Sequence, residues 1–191
     1  MKKTFFAALL LLAGCSQPNV HYVDPNAQGT IAGTGIESQD INAAAAQAAQ
    51  SIVNIPQIAA ASKAPIIMIT PVVNKSSSPI DTSLYTSILR DSLLNNSGGK
   101  VRFVDRSNMA VNEKEDQMAS SGEVQSQGKR SASSYDYVLT AELQGIGMAS
   151  SQGQSDYFRV AFKLIDRRSD ILLWTNAYQI KKEGKESAVY R

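Results

Sequence analysis

The chain has 191 residues, with 19 Lys and Arg against 17 Asp and Glu, a single cysteine and a single histidine. Two of those lysines stand in the first three residues, so the remainder carries no formal net charge and lacks the basic excess that nucleic acid demands. One cysteine rules out an intrachain disulfide, and one cysteine with one histidine leaves no spacing suited to zinc.

Lys2 and Lys3 form a positive start, Phe5 to Leu12 an apolar run, and Ala13-Gly14 a pair of small residues ahead of Cys15. This is the layout of a secretory signal, residues 1–14, too short to remain as a membrane-spanning helix. Leu12-Ala13-Gly14-Cys15 resembles the lipobox of bacterial lipoproteins. That resemblance implies diacylglycerol on the Cys15 sulfur, cleavage just before it and acylation of the new amino terminus. Each buried CH2 contributes about 0.8 kcal/mol, so several chains on one residue anchor the protein firmly to a membrane. Asp after the cysteine is the usual inner-membrane retention signal. Ser16 stands there instead, which implies the outer membrane, periplasmic face.

Residues 15–37 are rich in Gly, Pro, Asn and Gln without periodicity and read as a flexible tether. Fully extended at about 3.1 Å per residue they reach roughly 70 Å, whereas a random coil averages about 25 Å. The globular domain is expected over 38–191. Ser38 can cap a helix over Gln39 to Asn54, where Ile41, Ala45, Ala48, Ile52 and Ile55 share a face and Pro56 ends or kinks it. Ala64–Asn74, "APIIMITPVVN", is a continuous apolar run, the mark of a strand covered on both faces. Asp81 then caps a helix whose face is Leu84, Tyr85, Ile88, Leu89 and Leu93, with Gly98-Gly99 as its stop. "KVRFVDR" is the next strand, and Ser107 opens a charged, solvated helix containing "NEKEDQM".

Three strand-length segments follow, "YDYVLTAELQGIGMA", "SDYFRVAFKLIDRRSD" and "ILLWTNAYQIKKEG", with turns at Gly153 and at Arg167-Arg168-Ser169. The fold class is therefore α/β: a mixed central sheet with a C-terminal antiparallel meander, flanked by helices. Catalytic chemistry finds little support. His21 lies in the tether, away from any nucleophile it would activate, and Gly33-Thr34-Gly35 lacks the strand, third glycine and helix of a dinucleotide loop. Trp174 and Tyr178 share one side of a strand and read as core. The chain reads as a binding module, with no cofactor and no metal.

The stretch "IIMITPVVNKSSSPIDTSLYTSILRDSLLNNSGGKVRFVDR" resembles penicillin-binding-protein activator lipoproteins of the LpoB type, within a broader CsgG-like group. The "SQDI" opening the first helix, "YVLTAEL", Phe-Arg-Val-Ala-Phe-Lys-Leu-Ile-Asp and "ILLWTNAYQIKKEGK" extend the likeness over Gln39 to Lys185. The resemblance implies an outer-membrane lipoprotein that binds and stimulates a bifunctional peptidoglycan synthase, a penicillin-binding protein, from the periplasmic side. Relatives of this type often carry a long Pro-rich tether; here it is short, with Pro18 and Pro25 alone. Polar residues on loops flanking the sheet, Asn74, Lys75, Arg102 and Arg106, are candidate partner contacts. Two other readings are a CsgG-like oligomeric secretion component and a structural envelope lipoprotein with no enzyme partner. The pore would need a spare pair of amphipathic hairpins, and none stands outside the meander.

Overall fold

The break in the first apolar run sets the architecture. A computed structural model of the chain describes residues 21–29, 33–125, 128 and 134–185. The signal, Cys15 and the first part of the tether lie outside those residues. The expected single strand over Ala64–Asn74 is two pieces, β1 (Ile66–Ile69) and β2 (Val73–Lys75). Pro71 lies between them and has no N–H to give a ladder. Thr70 N still donates to Leu139 O (3.0 Å), but Val72 N turns to Thr86 Oγ1 (2.9 Å). Both pieces run parallel to β4 (Tyr137–Ser150), Ile69 opposite Leu139 and Val73 opposite Glu142, so the break holds one residue more than its partner strand.

β3 (Arg102–Val104) pairs parallel on the other side of β1, while β5 (Gly153–Asp166) and β6 (Leu172–Gly184) complete the expected antiparallel meander. The order across the sheet is β3-β1-β4-β5-β6, with β2 beside β4. The turn Ser151-Gln152 is closed by Gly153 at φ 146°, where a side chain would meet the Gly184 carbonyl.

The first helix, α1 (Ser38–Ile52), begins one residue away from the expected cap. Glu37 is the N-cap residue, and Asp40 reaches back to accept from Glu37 N (2.9 Å). Ser38 instead donates to Pro25 O. The carboxylate three residues into the helix thus bonds the N–H of the N-cap residue, one half of a capping box whose other half is the Glu37 side chain, where the sequence suggests a serine cap. After α1, Pro56 occupies the first turn of a short α2 (Pro56–Ala59), where its missing N–H costs nothing.

α3 (Thr82–Asn96) is capped as expected: Asp81 accepts from Ser83 N at 2.8 Å and Leu84 N at 3.3 Å. Leu89 and Leu93 are buried and Tyr85 and Ile88 half-buried, but Leu84 is exposed, because the row that meets the core is Tyr85, Leu89 and Leu93 and Leu84 stands one position off it. α4 (Met109–Ser121) starts two residues after Ser107, whose N–H and hydroxyl are both taken by Asp105. It buries none of its residues, as its charged run implies.

Ala44, Ala45, Ala48 and Ala49 let α1 lie close to α3, and Ile52 and Leu93 enter one core with Ile67, Leu139 and Leu164 of the sheet. Each fully buried Leu or Ile there contributes about 1.5–3 kcal/mol. Trp174 and Tyr178 pack on this core, and Trp174 Nε1 donates to Ser51 Oγ of α1 at 3.0 Å. That bond satisfies the one polar atom of an otherwise apolar side chain.

Candidate functional site

Residues 33–37, read from the sequence as the end of the tether, are fastened to the sheet. Ile36 is buried with Leu143, Phe158 and Ile180 in a second small core. Thr34 is buried too and its hydroxyl donates to Asp156. Lys182 of β6 gathers three acceptors: Asp40 Oδ2 at 2.7 Å, Gly35 O at 3.0 Å and Glu37 Oε1 at 3.4 Å. The Glu37 contact is an ion pair without hydrogen-bond geometry, so Asp40, almost wholly buried, is the tighter partner. A glycine-containing segment outside any helix or strand would ordinarily fray; this clasp fixes it to the end of β6.

The four candidate contacts fall in three places. Asn74 is half-buried and holds the loop after β2: its amide donates to Ser78 O, and its carbonyl accepts from Ser76 N and Oγ. Lys75 is its exposed neighbour, with Nζ 3.1 Å from Glu142 Oε2. Arg102 stands at the start of β3, where Nε donates to Ala64 O, beside a hollow of about 500 Å³. Arg106 lies past the end of β3, in a groove of about 340 Å³ at the C-terminal ends of β1 and β3. The structure brings Asn74 and Lys75 together on β2 and sets Arg102 and Arg106 at opposite ends of β3.

Lys75 begins a polar row that the sequence did not reveal. Glu142 accepts from Gln144 Nε2 (2.6 Å), and Gln144 Oε1 accepts from Arg159 Nη1 (3.2 Å). The Gln144 amide, and then Lys75, hold the Glu142 carboxyl below the ordinary carboxylate range. These side chains stand on β2, β4 and β5, on the sheet face opposite Leu139, Ala141 and Leu143. Asp105 is likewise held low, first by the Ser107 hydroxyl and backbone and then by Arg90. The cavity enclosed between α1, α3 and the sheet measures about 20 Å³, room for little more than one water. Among the described residues no cluster of three or more His, Cys, Asp and Glu suits a metal ion, and no helix is long and apolar enough to cross a membrane.

Exposed polar rows on a rigid mixed sheet, shallow hollows and charges committed to one another are the features of a recognition domain. The family model of the peptidoglycan-synthase activator LpoB matches residues 40–180, from the first turn of α1 to near the end of β6, and the chain belongs to that family. No curated protein matches it in sequence. Among solved structures it is similar to the LpoB C-terminal domain from Salmonella enterica, at 12% identity and a TM-score of 0.48, over 75% of this chain and 99% of that one. E. coli LpoB is similar at 13% identity and a TM-score of 0.48, over 88% and 79%. Lipoprotein GNA1162 from Neisseria meningitidis follows at 17% identity and 0.39, over 65% and 87%.

Activators of this family are not enzymes; they act on a peptidoglycan synthase. The chain is accordingly a peptidoglycan-synthase activator of the bacterial envelope, the first of the three readings that the sequence allowed.

Proposed function

We propose that the chain works as a lipid-anchored activator, acylated at Cys15 after removal of residues 1–14 and held at the periplasmic face of the outer membrane. In this reading the chain after Cys15 is the tether, pinned to α1 where Ser38 and Asn42 hold Pro25 O and Asn26 Oδ1, and the globular domain docks on a penicillin-binding protein whose active conformation it binds more tightly than the inactive one. Activation then follows from differential affinity alone, with no chemistry supplied by the activator. The family match over residues 40–180 carries the reading. The Leu12-Ala13-Gly14-Cys15 motif and Ser16 support the anchor and its address. Lys75 is the exposed member of the four candidate contacts on the open sheet face, and Arg106 lines the groove at the C-terminal ends of β1 and β3; we propose both as contacts ahead of Asn74 and Arg102, which fasten neighbouring backbone.

The test is direct. Purified chain is added to a detergent-solubilised bifunctional synthase with lipid-linked precursor, and glycan polymerisation is followed. A rise in rate with saturable binding is expected; no binding and an unchanged rate overturn the activator reading. The anchor is tested apart from it, by mass spectrometry of the protein purified from its native envelope. A free thiol on Cys15, or protein left soluble after membranes are sedimented, refutes the acylated form.

A further inference from the structure

Strand β4 outlasts the strand beside it. Its antiparallel register with β5 is unbroken from Tyr137 opposite Asp166 to Ser150 opposite Gly153. On the other side, β1 and β2 cover it only as far as Gln144, opposite Lys75. Backbone groups of successive strand residues point to alternate sides. Leu139 O accepts from Thr70 N, so odd-numbered residues of β4 turn their N–H and C=O toward the β1 and β2 side. Gly147 and Ala149 therefore present both groups to a side where, among the described residues, no strand follows.

The same stretch carries the side chains of an interface. Ile146 and Met148 are 69% and 66% exposed and stand next to each other on the outer face. Gly145–Ser150 contains no charge and no proline, the devices by which proteins guard an open edge. An open, apolar, unguarded edge is where an extended segment adds as a further strand, its backbone pairing with the edge and its alternate side chains packing on the face.

We infer that the 146–150 edge of β4 is the docking strip for an extended, acidic segment of the synthase, added in line with β2. The inference rests on the activator reading above. Charge selects the occupant. On the outer face Lys75 pairs with Glu142 and Lys181 with Glu183, which leaves a positive surplus of Arg159, opposite Gln144 near the start of the strip, and Lys163 further along β5. A second copy paired about a two-fold axis would extend that like-charged face. It would also join only the two short edges, far fewer than the roughly 20–30 residues a side of a stable association. A synthase segment with apolar residues at alternate positions and an acidic flank meets both the edge and the charge.

Two variants read the edge and the face separately. Ala149→Pro removes an outward-facing N–H and leaves the β5 ladder intact, the one placement a strand edge tolerates. Met148→Lys puts a charge on the exposed apolar face. Binding of the full chain to solubilised synthase is measured by interferometry, with melting temperatures recorded for each variant. A fall in affinity of about tenfold or more in both, at unchanged melting temperature, is expected. Undiminished binding by both variants overturns the edge while leaving the activator reading intact; a wild-type chain that binds no synthase overturns both. Loss with Met148→Lys alone replaces strand addition by a face contact. Self-association of the wild-type chain without synthase, abolished by Ala149→Pro, assigns the edge to a second copy and also overturns the inference. Should Ala149→Pro melt early, hydrogen exchange at the Gly147 and Ala149 amides of the wild-type chain reads the edge instead: protection on binding synthase is expected, and unchanged exchange overturns strand addition.

Discussion

Replacing Lys182 by methionine keeps the length of the side chain and removes its charge. Asp40 is then left nearly buried, with only the Glu37 N–H still donating to it, and the Gly35 carbonyl and Glu37 carboxylate lose their shared partner. Stranding one member of a buried ion pair costs 3–5 kcal/mol; Lys182 and Glu37 keep some solvent, so the lower end, about 3 kcal/mol, is expected. In a domain of this size each kcal/mol moves the melting temperature by about 2–4 °C, giving a fall of roughly 6–12 °C. Scanning calorimetry on Lys182→Met, Asp40→Asn and the double variant measures it. The double variant should recover part of the loss, because Asn at 40 keeps an acceptor for Glu37 N without a charge to strand. High salt should leave the loss in place, whereas the exposed Lys181–Glu183 pair should be screened. A single-variant fall of less than a degree or so, or strict additivity in the cycle, refutes the clasp as a stabilising unit.

Asp81→Ala should lower the melting temperature at neutral pH by removing the cap of α3. The Ser83 hydroxyl, followed by the N–H groups of Leu84 and Ser83, holds the Asp81 carboxyl below its ordinary range. Its contribution is therefore full above the unfolded value and disappears as pH falls through the folded one, so wild type and variant should converge in acid thermal scans. Tyr137 runs the other way: burial, and then Asp166 and Asp136, raise its phenol above the ordinary value. The folded state keeps that proton longer, so above pH ~10 the wild type should lose stability faster than Tyr137→Phe; parallel curves refute it. Gly145→Ala places a methyl 2.9 Å from Ser76 Cβ and 3.0 Å from the Phe158 ring. Overpacking of this kind costs about 1–3 kcal/mol, and a urea midpoint equal to wild type would contradict it.

Elements governed by local chemistry were legible in the sequence. Asp81 and the Gly98-Gly99 stop bracket α3 because a cap and a left-handed turn need only neighbouring residues. The meander followed from alternation within each strand and turn residues between them. The Ala64–Asn74 run was read as one strand since hydrophobicity does not register a missing N–H; Pro71 does, and it divides the run into β1 and β2. Leu84 fits the spacing to Ile88, yet the row that meets the core is Tyr85, Leu89 and Leu93, and nothing in α3 alone tells which of two adjacent rows the sheet covers. The Lys182 clasp joins residues 142 positions apart through Asp40, and the Lys75, Glu142, Gln144 and Arg159 row depends on which strands become neighbours. Sequence spacing carries no trace of either. The open edge of β4 is a difference in length between strands that are far apart in the chain.

The stitching of residues 34–37 to β5 and β6 has a mechanical side. A pull arriving along the chain from its N-terminal direction meets α1 first, where Ser38 and Asn42 hold Pro25 O and Asn26 Oδ1, and then the sheet, at Thr34, Ile36 and the three acceptors of Lys182. Those sheet contacts stand at the end where the turn between β4 and β5 closes, so tension that opens the two side-chain bonds on α1 passes on to the two longest strand pairings. The lysine works as a rivet: through Asp40 it ties the first turn of α1 to β6, so helix and sheet bear the load together.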